Sequence, residues 1–232
     1  MKRRILMVLA ALLLFATPAL AEQGAELTLL EDRFLVLPSY NELFEGVLSA
    51  KIQNTGNVTL QVEEGLYELL DKDGVKLKDC TWVPLFPGTL EPGQVGYLYV
   101  SECPDDVKTA DGIASHTLDL KASTNVYQRY KRMEATARVA PPRSSYSELP
   151  YLEATVVNAT EAAVYDITVV FAVYDSEDKL LYVQENTAYN AGVPAGGTIL
   201  IGEDLDRQVK EYLDANEMTI SRVDVIAFID VR

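Results

Sequence analysis

The chain is short of the residues that enzymes use most often. Its 232 residues include one histidine, His116, two cysteines and one tryptophan. A Ser-His-Asp or Cys-His site would have to be built on His116. No GxSxG, HExxH or paired SxxK and SDN pattern accompanies it. His116 is therefore read as a surface or partly buried residue at a strand entry, not a catalytic one. No Gly-rich phosphate loop is present, and Cys80 and Cys103 match neither CxxC nor zinc spacing. No catalytic, metal or cofactor residues are assigned. Positive charge is also scarce: 20 Lys and Arg against 35 Asp and Glu give −15. An acidic surface repels phosphate backbones and anionic lipid, which argues against nucleic acid as a partner.

Long hydrophobic runs are missing too. The longest, residues 5–16, has 12 residues, against the ~20 that a membrane span needs. It follows Lys2-Arg3-Arg4 and leads through Pro18 to Ala19-Leu20-Ala21. That order of basic, apolar and small residues reads as a bacterial-style secretory signal peptide over residues 1–21. No cysteine follows to carry a lipid. Cleavage takes the net charge to −18 by removing three cations. The mature chain is expected in the periplasm, at the cell envelope or outside the cell, with no transmembrane segment.

What is present is a repeat at an offset of 104 residues. Asn54 lies 17 residues before Asp71, and Asn158 lies 17 before Asp175. Pro38 matches Pro142, Ile52 matches Val156, Tyr67 matches Phe171 and Leu69 matches Val173. After one deletion, Glu91-Pro92-Gly93 meets Pro194-Ala195-Gly196. Two copies of a sequence unit imply two copies of a fold.

Each copy reads as short strands. Leu48, Ala50 and Ile52 alternate with polar residues, as a half-buried strand requires. Turn clusters follow at residues 54–57 and at Asp71-Lys72-Asp73-Gly74. The apolar phase shifts near Gly65 and again after Val164, which predicts a bulge or crossover. Residues 206–216 read as one helix, with Val209, Tyr212 and Leu213 on a face and Asp204 or Asp206 as the cap. The expected fold is all-β: two tandem immunoglobulin-like β-sandwich domains with a short helix in the second. Pro141-Pro142 marks the expected boundary, giving residues 22–140 and 141–232, placed end to end.

At Phe171-Ala172-Val173-Tyr174-Asp175 the chain resembles the FxLYD domain family, with Val173 in place of Leu. The first copy reads Tyr67-Glu68-Leu69-Leu70-Asp71 and departs further. The resemblance covers about 50 residues of each copy. It implies a small extracytoplasmic sandwich module of microbial surface and secreted proteins, and it carries over no active-site residues.

An oxidising compartment and an even cysteine count favour a Cys80–Cys103 disulfide. Closing that loop would contribute on the order of 3 kcal/mol. Two unpaired thiols are the alternative. Asp71 and Asp175, with the acidic residues after them, read as turn residues that accept backbone N–H groups. A calcium loop is the other reading, although its distal Glu is missing. The sequons at Asn57 and Asn158 read as turns. Tyr127, Tyr130, Tyr146, Tyr151, Tyr182 and Tyr189 exceed what two small cores need, and tyrosine suits binding of glycan or protein. Tyr127, Tyr130, Tyr146 and Tyr151 near the Pro141-Pro142 joint are the candidate recognition residues. The preferred function is a secreted or envelope binding or scaffolding protein without catalysis. The alternatives are a carboxylate-dependent hydrolase of polysaccharide and a subunit that offers an edge strand to a partner chain.

Overall fold

The computed structural model describes residues 24, 26–143 and 148–231. The signal-peptide reading of residues 1–21 and the Tyr146 assignment lie outside them. Among the described residues no helix is long and apolar enough to cross a membrane.

The fold is all-β. The first half holds β1 (Leu27–Pro38), β2 (Phe44–Asn54), β3 (Leu60–Leu70), β4 (Lys76–Cys80), β5 (Leu85–Phe86), β6 (Thr89–Leu90), β7 (Val95–Glu102) and β8 (Ser115–Ser123). The second holds β9 (Tyr130–Ala140), β10 (Tyr151–Val157), β11 (Ile167–Tyr174), β12 (Leu180–Ala188), β13 (Thr198–Asp204), α1 (Arg207–Ala215) and β14 (Arg222–Asp230).

In the first sandwich one sheet runs β1-β2-β7-β5, and the other centres on β3, flanked by β4, β6 and β8. Alternation does the expected work. Leu48, Ala50 and Ile52 meet Tyr67, Leu69 and Leu98 between the sheets. The phase change in β3 is a register shift between Val62 and Glu64. Two residues on, Gly65 lets Val83 lie against the strand; a Cβ at Gly65 would stand 2.5 Å from the Val83 Cβ.

In the second sandwich β12-β11-β14 faces β10-β13, and β9 belongs to both layers. Residues 130–133 pair with β14 and residues 134–140 pair with β10. The pairing corrects the expected boundary. β9 is the counterpart of β1, so the halves divide at residues 124–129. Pro141-Pro142 lies in the β9–β10 connection, as Pro38 ends β1 before β2. Prolines mark both sites because they cannot donate to a ladder.

The repeat extends to individual hydrogen bonds. Asn54 Nδ2 donates to Val58 O and Leu90 O, and its Oδ1 accepts from the Gly56 N–H. Asn158 Nδ2 donates to Ala162 O and Val193 O, and its Oδ1 accepts from the Thr160 N–H. Asp71 Oδ1 accepts from the Asp73 and Val75 N–H groups, and Asp175 Oδ1 from those of Glu177 and Lys179. Asp206 caps α1 by accepting from the Gln208 and Val209 N–H groups, while Val209 and Leu213 are buried.

The halves are not end to end. The outer face of β1-β2-β7 lies on the outer face of β12-β11-β14. Tyr97 packs there among Val170, Ala172, Tyr174, Leu180, Val183, Ile226 and Phe228. Leu35, Leu37 and Val47 join the apolar cluster of the second half. Burying one such large side chain stabilises by about 1.5–3 kcal/mol, and a whole domain has a net stability of about 5–15 kcal/mol. The joint therefore holds the halves as one body. Several polar groups pair across it: Ser49 Oγ accepts from the Val183 N–H at 2.9 Å, and the Tyr97 and Tyr174 hydroxyls meet at 3.0 Å. The Glu31 carboxylate accepts from the Leu180 N–H, and Arg132 donates to Val95 O.

The joint explains why β11 is apolar on both faces. Ile167, Val169, Phe171 and Val173 fill the second core, while Val170, Ala172 and Tyr174 fill the joint. The equivalent face of β3 in the first half is mixed and only half-buried: Leu66 and Leu70 flank Glu68, with Lys76–Glu68 at 3.4 Å and Lys121–Glu64 at 3.0 Å.

Candidate functional site

The predicted tyrosine group does not form one surface. Tyr127 is 66% exposed. Tyr130 packs edge-on against Phe228, 5.2 Å between centroids, and its hydroxyl donates to Gln128 Oε1. Tyr151 is 4% exposed, with the Arg143 guanidinium 3.9 Å above its ring. Tyr182 is also buried, edge-on to Tyr99. Of the surplus tyrosines, Tyr130 and Tyr182 pack at the joint, which the end-to-end expectation left out. Tyr189 is exposed.

The predicted disulfide is also corrected: Cys80 and Cys103 are free thiols. Cys80 ends β4 and donates to Trp82 O at 3.2 Å. Its neighbour from β7 is Glu102, whose carboxylate raises the thiol's pKa further after burial has raised it. Adjacent residues of an extended chain point to opposite sides, so the approach of Glu102 to Cys80 directs Cys103 away.

His116 is a packing residue. Its ring lies 4.6 Å from that of Phe34, and its Nε2 is 3.5 Å from Asp32 Oδ2. Burial pushes its pKa down, and Asp32 partly restores it. The turn aspartates spend an oxygen on two N–H groups each. Among the described residues, no group of three or more His, Cys, Asp or Glu is arranged to hold a metal ion.

The site that the structure offers is a cleft of about 460 Å³ where the halves meet. Its floor is residues 99–102 of β7. One wall carries Cys80, Trp82, Pro84 and Phe86, and the other carries Gln184, Glu185, Glu203, Asp204 and Asp206. None of the lining residues is Lys or Arg. Trp82 is 77% exposed at the rim. A second cavity of about 410 Å³ shares Trp82, Pro84, Phe86 and Glu185 and continues to Tyr130 and Tyr189. Together they form a groove along residues 81–86.

The carboxylates of this groove are crowded. Burial raises the pKa of Glu185, and the charge of Glu203 raises it further. Glu45, outside the lining, is raised by burial and then by the charge of Asp206, which does line the cleft. Such a cleft favours a cation, which would relieve the repulsion, and an aromatic face at its rim suits one as well. Of these residues the sequence marked Cys80 for a disulfide, Tyr182 as a surplus tyrosine and Asp204 and Asp206 as helix caps, while Trp82 offered only its being the lone tryptophan, followed by Val83-Pro84-Leu85-Phe86-Pro87. The acids come from β7, β12 and β13 and converge only through the joint.

No protein-family model matches the chain, and no curated protein matches it.

Proposed function

We propose that this is an extracytoplasmic binding or scaffolding protein without catalysis of its own, and that it holds its partner in the cleft between its two sandwiches. The cleft carries this reading: acids and aromatics from both halves line one concave surface that has no cation of its own. The order of residues in 1–21 supports the location, and the likeness of Phe171-Ala172-Val173-Tyr174-Asp175 to the FxLYD strand end supports a module of that kind. The recognition surface moves from the Pro141-Pro142 region to Trp82 and the carboxylates of β12 and β13. Immobilised mature protein, incubated with the envelope fraction of its source cells, is expected to retain a partner that a Trp82→Ala/Glu203→Gln variant loses. Equal retention by both would remove the cleft from the reading.

One observation favours the second reading, a carboxylate-dependent hydrolase of polysaccharide. Glu185, with its raised pKa, and Glu203 face one cleft, and unequal carboxyls suit an acid and its partner. Release of reducing ends that is lost in Glu185→Gln would establish it over the first.

A further inference from the structure

The floor of the cleft is an open sheet edge. The Asn54 N–H donates to Gln94 O at 3.0 Å, which sets the phase of the β2–β7 ladder. Even-numbered residues of β7 bond to β2, and odd-numbered residues turn their N–H and C=O to the other side. On that side Val95 O accepts from Arg132, and Tyr97 pairs with Phe86 of β5. β5 has only two residues. The residue next to supply a donor is Pro84, which has none. The Tyr99 carbonyl and the Ser101 N–H and carbonyl therefore receive no partner among the described residues, and both residues line the cleft.

The second repeat shows the same edge closed. By the offset of the repeat, Tyr99 and Ser101 correspond to Gly202 and Asp204. There Asn186 Nδ2 donates to Gly202 O at 3.1 Å, and Gln184 Nε2 to Asp204 O at 3.0 Å. The counterparts of Gln184 and Asn186 in the first repeat are Cys80 and Trp82. Neither donates to the Tyr99 or Ser101 backbone; the Cys80 thiol faces Trp82 O and the Glu102 carboxylate instead. One repeat caps its edge with side-chain amides, and the other leaves it uncapped beneath a cavity.

We infer that β7 takes an added strand here: a short, extended, lysine- or arginine-bearing segment of a partner polypeptide. One residue of such a segment can donate its N–H to Tyr99 O and accept at its C=O from the Ser101 N–H, which is recognition by strand addition. Its basic side chains would meet Glu102, Glu185, Glu203 and Asp204, and Trp82 offers a face to an ammonium or guanidinium group. The inference rests on the reading of the cleft as the binding site. It adds that the ligand is a polypeptide backbone rather than a sugar or a free amine.

The test titrates mature protein with acetyl-Lys-Thr-Lys-Thr-Lys-amide at low salt, following the fluorescence of Trp82, the only tryptophan. Two further peptides carry N-methyl groups at alternate residues, one in each register, and spermidine serves as an amine without a backbone. Saturable binding is expected, together with slowed hydrogen exchange at the Ser101 amide. At least one N-methylated register should weaken binding tenfold or more, and spermidine should bind at least tenfold more weakly than the peptide. Ser101→Pro, which removes an N–H that β2 does not use, should abolish binding; if that variant misfolds, the N-methylated peptides decide. Equal binding of all three peptides, equal binding of spermidine, or no binding at millimolar peptide overturns strand addition. If the peptide fails while the envelope partner is still retained through Trp82 and Glu203, the cleft reading stands without this inference. Loss of both results removes both.

Discussion

Tyr97 and Tyr174 come from different repeats and meet hydroxyl to hydroxyl at 3.0 Å inside the joint. Tyr174 is the tyrosine of the Phe-Ala-Val-Tyr-Asp strand end, so that residue serves the contact between modules rather than the core of its own. Burial pushes both phenols above their ordinary pKa, which keeps them neutral and able to share one hydrogen bond. Tyr97→Phe is expected to destabilise by about 1–3 kcal/mol, because it strands the Tyr174 hydroxyl. The double Phe variant should cost less than the sum of the two singles. Urea unfolding of the four proteins measures the coupling, and strict additivity would show the pair inert.

The joint should make the two halves unfold together. A single coincident transition by fluorescence and circular dichroism is expected for the mature protein. Ala172→Asp places a carboxylate in the joint at a fully buried position. It should split the transition in two while each sandwich core stays intact.

The two buried asparagines should be equally costly to lose. Asn54→Ala and Asn158→Ala each leave buried carbonyls without donors, so each should destabilise by about 2–4 kcal/mol. A loss under about 0.5 kcal/mol at either site would show that its turn holds without the side chain.

The crowded carboxylates give a signed pH dependence. Glu45 and Glu185 bind protons more tightly in the folded chain than at their ordinary value of 4.5. Their effect on stability is therefore a cost that grows as pH rises from that value through the raised folded values, and it is full above them. Glu185→Gln should raise the melting temperature at pH 7 and leave it nearly unchanged at pH 4. A lower melting temperature at pH 7 would mean that the carboxylate is held by a favourable partner.

Both cysteines should react as thiols. Iodoacetamide under native conditions without reductant, followed by mass measurement after unfolding in fresh iodoacetamide, should add two carbamidomethyl groups. An unmodified chain would restore the disulfide expected from compartment and count.

The repeat, the strands and the turns were legible because they rest on local rules. Alternation at Leu48, Ala50 and Ile52, an Asp that accepts the N–H groups two and four residues on, and an aspartate before a helix all act within a few residues of themselves. The pattern in β11 also carried a clue to the joint. A strand apolar on both faces must be covered twice, whereas in β3 Glu68 interrupts the outer side between Leu66 and Leu70, which stay half-buried. The proline pair at 141–142 misled because a missing N–H stops a ladder equally well at a domain boundary and at a strand-to-strand connection. Only the pairing of β9 with β10 and β14 separates those cases.

By itself, then, the sequence determined what short-range hydrogen bonding and periodicity determine: two related all-β modules, their turns and caps, and an acidic surface. The tertiary structure decided what depends on which faces meet. Packing sheet on sheet covered Tyr130 and Tyr182, which composition alone would place outside, and left Tyr127 and Tyr189 exposed. It turned Cys103 away from Cys80 and brought Trp82 beside Glu185 and Glu203 from strands about 100 residues away. The physical reason is that a face of a strand records only that it must be covered. What covers it is chosen by the shape and polarity of the whole surface opposite, and that surface exists only once the chain has folded.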